Sequence, residues 1–325
     1  MAKQNNFGGS MTTISMFNNS NTINTLRESG YGDADFDILT SNIFYEDSAG
    51  PTTQIPGKKA LYRSDNGNLI GLHSSKYKPV NHKTMIDTAR NILERSELNL
   101  TEIKENIRVS ADGEMCFVQH DIPSHSITTP DGDTSSLQLL HLNSTNGTWP
   151  YHASVGSLQG ACLNKQIFLK DTAGIYRARH TQALDIDHGA NMINKTVEVL
   201  VNQNEIWCKW YNTHASFKDA LVHFIQAADA KSLVGMTHEE RLEAIEAGKV
   251  KNSNVVYMIR QFFNYRKTLG RNLWAVYNTL TDWSTHYGNM NENKTRKNAA
   301  DENILFIKRS ERVRQTLNQL QKRVA

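Results

Sequence analysis

Two hydrophobic periods divide the chain into an alternating part and a helical part. Between about residues 59 and 180, apolar residues come in short runs separated by turns rich in Asn, Asp and Gly, which is the pattern of β-strands. From about residue 185 onward they recur every three or four positions, which is the pattern of amphipathic helices. This order predicts an α+β fold, with an antiparallel sheet and a packed helix in the middle region, followed by an all-helical C-terminal region.

The alternating part begins with a predicted hairpin. Asn66 and Gly67 stand between the runs 60–63 and 69–73, and an Asn-Gly pair predicts a tight turn in which both residues have positive φ. Asn81 is a suitable N-cap for a helix that reaches about residue 95. An exposed polar loop and further strands are expected after it, the loop at 124–136 and the strands at 103–109, 115–122, 137–142, 151–157 and 175–180.

The helical part consists of segments with one apolar stripe each. Thr237, followed by Glu239 and Glu240, indicates a helix start, because a threonine cap and acidic side chains satisfy the first-turn N–H groups. Gly270 is expected to kink or divide the long pattern over 254–287. The predicted helices cover 192–210, 216–231, the segment from 237, 254–287 and 302–323, the last with Val313, Leu317, Leu320 and Val324 on one face.

Composition separates three regions. Residues 1–56 are rich in Asn, Ser, Thr and Gly and are expected to form an N-terminal arm and linker, with Pro51 and Pro56 bracketing the linker. Residues 57–184 are the predicted α/β core, and residues 185–325 are the helical C-terminal region.

There is no apolar run of about 18 residues and no basic-then-apolar secretory signal at the start. We therefore expect no membrane partner and a cytoplasmic location.

Charge is nearly balanced in total but segregated along the chain. The 325 residues include 36 Lys and Arg against 33 Asp and Glu, a formal charge of +3. The total charge therefore gives no evidence for a nucleic-acid partner. However, 248–271 and 294–325 are strongly basic, whereas acidic residues gather at 33–37 and 239–246. A neutral total with one basic face suits a protein that binds a polyanion.

Aromatic residues are interleaved with the first basic segment, and stacking on aromatic rings is a common way to hold single strands. Phe262 and Phe263 are expected in the core, whereas Tyr265 is a candidate for exposure. Arg177 and Arg179 alternate onto one face of the last predicted strand. The candidate nucleic-acid-binding residues are Tyr77, Arg177, Arg179, His180, Arg260, Tyr265, Arg266, Lys267 and Arg271.

The sequence has no catalytic signature, so a non-enzymatic function is favoured. Phosphate-binding glycine loops, a nucleophile elbow and a dinucleotide fingerprint are all missing, and no cofactor is expected. Cys116, Cys162 and Cys208 are odd in number and far apart, which predicts free buried thiols and no metal centre. Asp187 is expected to cap the next helix from a polar turn that also contains Asp185, with a divalent-metal site as the alternative.

Five segments resemble, in order, a family of phage- and plasmid-encoded proteins grouped as a domain of unknown function, the phage/plasmid-like proteins. They are SKYKPVN at 75–81, LQLLHLNS at 137–144, ACLN at 161–164, ARHT at 178–181 and GRNLWAVYN at 270–278. The resemblance implies a mobile-element protein that works near DNA metabolism in a bacterial cytoplasm, and it implies no activity. The middle region also looks like the sheet-and-helix plan of phage single-strand annealing proteins, whose basic groove grips a DNA backbone, although fold alone does not fix function.

These observations predict a non-enzymatic, homo-oligomeric protein that binds single-stranded DNA and promotes strand annealing in recombination. The alternative belongs to a different class: a mobile-element factor that docks a host protein, for example to blunt a defence system, through the apolar face of the last predicted helix. A metal-dependent nuclease at Asp185 and Asp187 is the minor alternative.

Overall fold

Two antiparallel sheets occupy the first part of the chain, and most of the helices follow them. The computed structural model describes residues 19–46, 50, 53–147, 151–159, 165–166, 175–178, 186–248, 253–287 and 299–322. The strands are β1 (Ile38–Tyr45), β2 (Thr53–Arg63), β3 (Leu69–Ser74), β4 (Lys104–Val109), β5 (Met115–Thr128), β6 (Thr134–Ser144), β7 (Tyr151–Gln159), β8 (Lys165–Gln166) and β9 (Ile175–Ala178). The helices are α1 (Asn19–Glu28), α2 (His82–Glu94), α3 (Ile186–Asn194), α4 (Thr196–Asn212), α5 (Phe217–Ala227), α6 (His238–Glu246), α7 (Ser253–Leu269), α8 (Leu273–His286) and α9 (Ala299–Lys322). The predicted α+β fold is confirmed.

The smaller sheet contains the hairpin predicted from Asn66 and Gly67. Its order is β1-β2-β3, and neighbouring strands are antiparallel. The turn is looser than predicted, since only Gly67 of the pair has positive φ, at 71°. Residues 64–67 form a loop that is closed by a hydrogen bond from the Arg63 N–H to the Asn68 carbonyl at 3.0 Å.

The N-terminal residues from 19 onward pack on the body of the protein. β1 pairs along β2, and the Asn19 amide on α1 donates to the carbonyls of Ser96 and Leu98 at 3.1 and 3.0 Å. α2 begins where predicted, but the Asn81 side chain makes no capping hydrogen bond. Its amide oxygen instead accepts from the Ile38 N–H at 2.6 Å, which attaches β1 to the start of α2.

The linker predicted between Pro51 and Pro56 is wrong at its second half, because Pro56 lies inside β2. The register of β1 against β2 shifts between Asn42 and Phe44. A proline, which has no N–H to donate, is tolerated at such an irregularity in a ladder.

The larger sheet has the order β4-β5-β6-β7-β8, and β9 also pairs with β7. Strands are confirmed where predicted at 103–109, 115–122, 137–142 and 151–157. β5 and β6 are longer than predicted, because the polar segment 124–136 continues both strands past a bulge between Ile122 and Ser126. A strand with one side in solvent tolerates polar residues, so this segment lacks the apolar alternation that would reveal it.

Both faces of the larger sheet are covered by helices. Cys116 and Val118 point to one face and belong to a hydrophobic cluster with Met85 of α2. Phe117 points to the other face and belongs to the larger hydrophobic cluster, which includes Trp274 of α8. The sheet is therefore a middle layer between α2 and the C-terminal helices.

The cysteines differ in exposure. Cys116 is a buried free thiol, as predicted, and burial raises its pKa. Cys208 is exposed on α4, which corrects the expectation of a buried thiol there, because it lies on the solvent side of that helix. Cys162 lies outside the described residues.

α8 is the central helix of the C-terminal region. It is buried from Leu273 to Ser284 and packs against α4, α7 and α9. Gly270, with φ of 88°, separates α7 from α8, so the division predicted there is confirmed. Asn272 caps α8 by accepting from the Ala275 N–H at 2.9 Å. Among the described helices, none is long and apolar enough to cross a membrane.

Two predictions about the preceding helices are corrected. The segment 192–210 is two helices, since α3 ends at Asn194, whose amide oxygen accepts from the Glu97 N–H at 2.8 Å. α3 begins one residue before Asp187, which therefore lies in its first turn instead of capping it. Asp185, the other residue of the proposed metal site, lies outside the described residues.

The apolar face of α9 is occupied within the protein. Val313, Leu317 and Leu320 have 0% exposure and belong to the larger hydrophobic cluster, where α9 meets α5 and α8. Val324 lies outside the described residues. Because the core covers Val313, Leu317 and Leu320, these three side chains are not available to a host protein, and docking of a host protein stays a prediction.

A buried ion pair joins α2 to the larger sheet. Arg90 has 0% exposure, and its Nη2 and Nε donate to the two Glu105 carboxylate oxygens at 2.6 and 3.0 Å. His120 Nε2 lies 3.0 Å from Glu105 Oε2. Burial acts to raise the pKa of Glu105, but hydrogen bonds and charge from His120 and Arg90 outweigh it and lower the pKa. The pair therefore stays ionised and fixes α2 against β4 and β5.

Replacing Arg90 with Met should lower the free energy of unfolding by about 3–5 kcal/mol, because Glu105 would remain buried without its main partner. Urea denaturation measures the loss. Arg27→Met is the matched control: Arg27 pairs with Glu94 at 2.6 Å, but the two side chains are 35% and 26% exposed. Its loss should be at most about 1 kcal/mol. Equal losses in the two variants would contradict this assignment.

His141 makes a second buried polar contact beside this pair. Its Nδ1 lies 2.9 Å from the Tyr151 hydroxyl, and its ring is edge-on to His120 with centroids 5.5 Å apart. Burial, followed by the nearby His120 and His152, holds the pKa of His141 well below its usual value of 6.5. The folded protein therefore keeps this imidazole neutral.

Stability should fall as the pH drops below about 6.5, because the unfolded state then binds a proton on His141 that the folded state excludes. The expected loss is up to about 1.4 kcal/mol per pH unit for this group. Urea denaturation between pH 7 and pH 5 measures it. In His141→Asn, whose amide can still bond to Tyr151, the free energy of unfolding should depend less steeply on pH, because up to one proton fewer is taken up on unfolding. An unchanged slope would contradict the assignment. Glu105 contributes at lower pH, since a carboxylate of lowered pKa loses its stabilisation only below its unfolded value of 4.5.

Candidate nucleic-acid interface

α7 has a buried side and an exposed side. Val255, Met258 and Phe262 have 0% exposure and belong to the larger hydrophobic cluster. Four residues on the opposite side point to solvent together, because they are spaced by four, three and four positions: Val256, Arg260, Phe263 and Lys267. We define the α7 face as these four residues together with Arg266 and Arg271.

Two tyrosines fix the rotation of α7 about its axis. The hydroxyls of Tyr257 and Tyr265 donate to the two carboxylate oxygens of Asp282 on α8, at 2.5 and 2.9 Å. Burial, and then the hydrogen bond to Asp282, raises the pKa of Tyr257, so its hydroxyl remains a donor at neutral pH. Tyr265, predicted as a nucleic-acid contact, is partly buried and uses its hydroxyl in this anchor.

The described carboxylates do not pair with the cations of the α7 face. In the part of the chain that the structure describes, no ion pair involves its arginines or its lysine. Arg260, Lys267 and Arg271 are exposed. Arg266 is partly buried, and its guanidinium lies 5.5 Å from the ring centroid of Phe263. The α7 face is therefore open to an anionic ligand.

Phe263 is an exposed aromatic residue among these cations. Its side chain is 44% exposed, and its ring lies 5.2 Å from that of Phe217. The expectation of a core position is right for Phe262, at 0% exposure, and wrong for Phe263, because consecutive helical residues point about 100° apart. The spacing of Val255 and Met258 is the sequence signal that could have separated them, since it places only Phe262 on the buried side.

An acidic helix adjoins the α7 face. The helix start predicted at Thr237 is confirmed, because the Thr237 N–H donates to Glu240 Oε2 at 2.7 Å and the Glu240 N–H donates to Thr237 Oγ1 at 3.2 Å. The ring of His238 lies 6.3 Å from Phe217, which contacts Phe263. Other acidic side chains of α6 are exposed, namely Glu239, Glu243 and Glu246. The two signs of charge therefore occupy neighbouring surfaces.

Of the remaining candidate residues, only Tyr77 has a described side chain, and it lies elsewhere in the fold. Tyr77 follows β3, stacks on His73 at 4.3 Å and packs against the smaller hydrophobic cluster, whereas α7 packs in the larger one. Arg177 is on β9, but its side chain lies outside the described residues, as do Arg179 and His180. The structure thus brings together Arg260, Tyr265, Arg266, Lys267 and Arg271, and it places Tyr77 apart from them.

A protein-family model matches residues 69–313, from the start of β3 into α9. The chain belongs to the DUF932 family. This family is defined by a domain of unknown function, so membership assigns no activity. The DUF932 domain includes Tyr77 and the whole α7 face, whereas α1, β1 and β2 precede it. Comparisons with curated proteins and with solved structures find no match to the chain.

Proposed function

We propose that this DUF932 protein binds single-stranded DNA on the α7 face and catalyses no reaction. The observation that supports this most directly is an exposed phenylalanine, on a helix of fixed orientation, among cations that form no ion pair with any described carboxylate. In the proposed complex, Arg260 and Lys267 contact phosphates and Phe263 stacks on a base. A charged groove with aromatic stacking is the usual means of binding single strands without sequence preference.

Phe263 is the reason to favour a single strand over a duplex. The bases of a duplex stack on one another, so their faces are not available to a protein ring, whereas a single strand presents them. Cations alone attract both forms through counterion release. Binding through the α7 face should therefore discriminate between the two forms by stacking rather than by charge.

The biological setting is proposed from the two resemblances in the sequence. Similarity to phage- and plasmid-encoded proteins supports a mobile-element protein in a bacterial cytoplasm. The resemblance of the middle region to the sheet-and-helix plan of annealing proteins supports strand annealing in recombination by a homo-oligomer.

Charge reversal on the α7 face tests the proposal. The double variant Arg260→Glu/Lys267→Glu should bind labelled oligo(dT) at least about tenfold more weakly at low salt, since two phosphate contacts become repulsive. The plot of log affinity against log salt should be shallower by about 1.4, at about 0.7 per lost contact. Fluorescence anisotropy at several salt concentrations measures both quantities.

Lys104→Glu/Lys231→Glu is the matched control, because both lysines are exposed and the change in net charge is the same. Lys104 is on β4 and Lys231 follows α5, so neither belongs to the α7 face, and this variant should stay within about threefold of the wild type. An equal loss of affinity in both variants would mean that affinity depends only on the net charge of the protein, and it would contradict a defined interface. Absence of oligo(dT) binding by the wild-type protein would overturn the proposal.

A further inference from the structure

α6 carries a row of exposed glutamates. The helix packs against the larger hydrophobic cluster through Leu242 and Ile245, and it has no fully buried residue. Three of its glutamates are exposed and share one side of the helix, because they are spaced by four and three positions: Glu239, Glu243 and Glu246. We call these three residues the α6 face. α6 therefore presents negative charge to solvent along its length.

The stability of α6 does not account for this row. Glu240, the remaining glutamate of the helix, already forms the cap with Thr237. Glu246 lies in the last turn of α6, where the partial negative charge of the helix end disfavours a carboxylate. A side chain placed against the local preference of its helix is typical of a functional surface. The position of Glu246 therefore points to a role outside its own helix.

The acidic and basic surfaces of one chain adjoin but do not pair with each other. The rings of His238 on α6 and Phe263 on α7 lie 6.3 and 5.2 Å from that of Phe217. In the described ranges, however, no ion pair joins the α6 face to the α7 face. Arg241, on α6 itself, donates instead to the Leu233 carbonyl at 3.1 Å. Both surfaces therefore keep their charge available to a partner.

The spacing of charge on the two faces matches. Glu239 and Glu246 are seven positions apart, and so are Arg260 and Lys267. Seven residues span about 10.5 Å along a helix axis. Two such helices laid side by side in antiparallel orientation would therefore bring Glu239 near Lys267 and Glu246 near Arg260. The same contact would cover Phe263, which lies between the two cations on α7.

We propose that the α6 face of one chain docks on the α7 face of a second copy, so that the protein self-associates in the absence of DNA. Complementary charge selects and orients such a contact. Val256 and Phe263, which are 38% and 44% exposed, add an apolar part that gains from burial. Every copy carries both faces, so no other component is required. A DNA strand and a second copy would cover the same residues of α7, and the association itself does not depend on the proposed function.

A charge-swap experiment tests the inference on the 325-residue protein freed of nucleic acid. Glu239→Lys/Glu246→Lys reverses the α6 face, and Arg260→Glu/Lys267→Glu reverses the α7 face. Either variant alone brings like charges together and should self-associate at least about tenfold more weakly than the wild type at low salt. An equimolar mixture of the two should associate again, because each face then meets one of opposite sign on the other chain. Analytical ultracentrifugation measures the association.

Glu28→Lys/Glu97→Lys is the matched control for the reversed α6 face, because both glutamates are exposed, lie outside α6 and give the same change in net charge. This variant should associate within about threefold of the wild type. A wild-type protein that keeps the mass of one chain at low salt and high concentration would overturn the inference. So would an associating wild type whose two reversed variants do not associate when mixed. No DNA is present, so these failures are separate from a failure to bind oligo(dT).

Carbodiimide cross-linking of the wild-type protein gives a test that does not depend on the variants folding. This reagent joins a carboxylate to a lysine amine that it contacts. In a mixture of 15N-labelled and unlabelled protein, cross-links between Lys267 and the glutamates of α6 should join peptides of different isotope. Cross-links of this pair that join only peptides of the same isotope would overturn the inference.

Discussion

The packing of α7 against α8 is the constraint on which the candidate interface depends. A large apolar side chain gains roughly 1.5–3 kcal/mol when it is fully buried, and Phe262 is one of several on the inner side of α7. Tyr257 and Tyr265 add two hydrogen bonds to Asp282 that a rotated helix could not make. Turning Phe263 inward would expose Phe262 and break both bonds. The outward position of Phe263 is therefore imposed by the core.

The described charged side chains fall into two groups: some form ion pairs that stabilise the fold, and others lie on the surface outside such pairs. Glu105 stabilises the fold through its buried pair with Arg90, and the exposed Asp35 and Asp37 pair with Lys83 at the start of α2. The α7 face lacks such partners among the described residues. Leaving surface cations unpaired costs little, since an exposed ion pair contributes at most about 1 kcal/mol. Surface cations without ion pairs also preserve the positive electrostatic potential that attracts a polyanion.

Local signals in the sequence predict a feature correctly where the interactions that form it lie within a few residues of one another, as in the hairpin at Gly67, the cap at Thr237 and the break at Gly270. They fail where the partner is distant: Asn81 binds the Ile38 N–H, 43 residues away, instead of capping α2. The cations of the interface can be identified from composition, but the exposure of Phe263 depends on which stripe of α7 meets α8.

Ultraviolet cross-linking of the wild-type protein to oligo(dT), with the modified peptides identified by mass spectrometry, tests the central claim most directly. If a single strand lies across α7 with a base against Phe263, a cross-link should map to this residue or to its neighbours within 260–271, and it should diminish as salt is raised. Cross-links that appear only on peptides outside α7 would contradict the account.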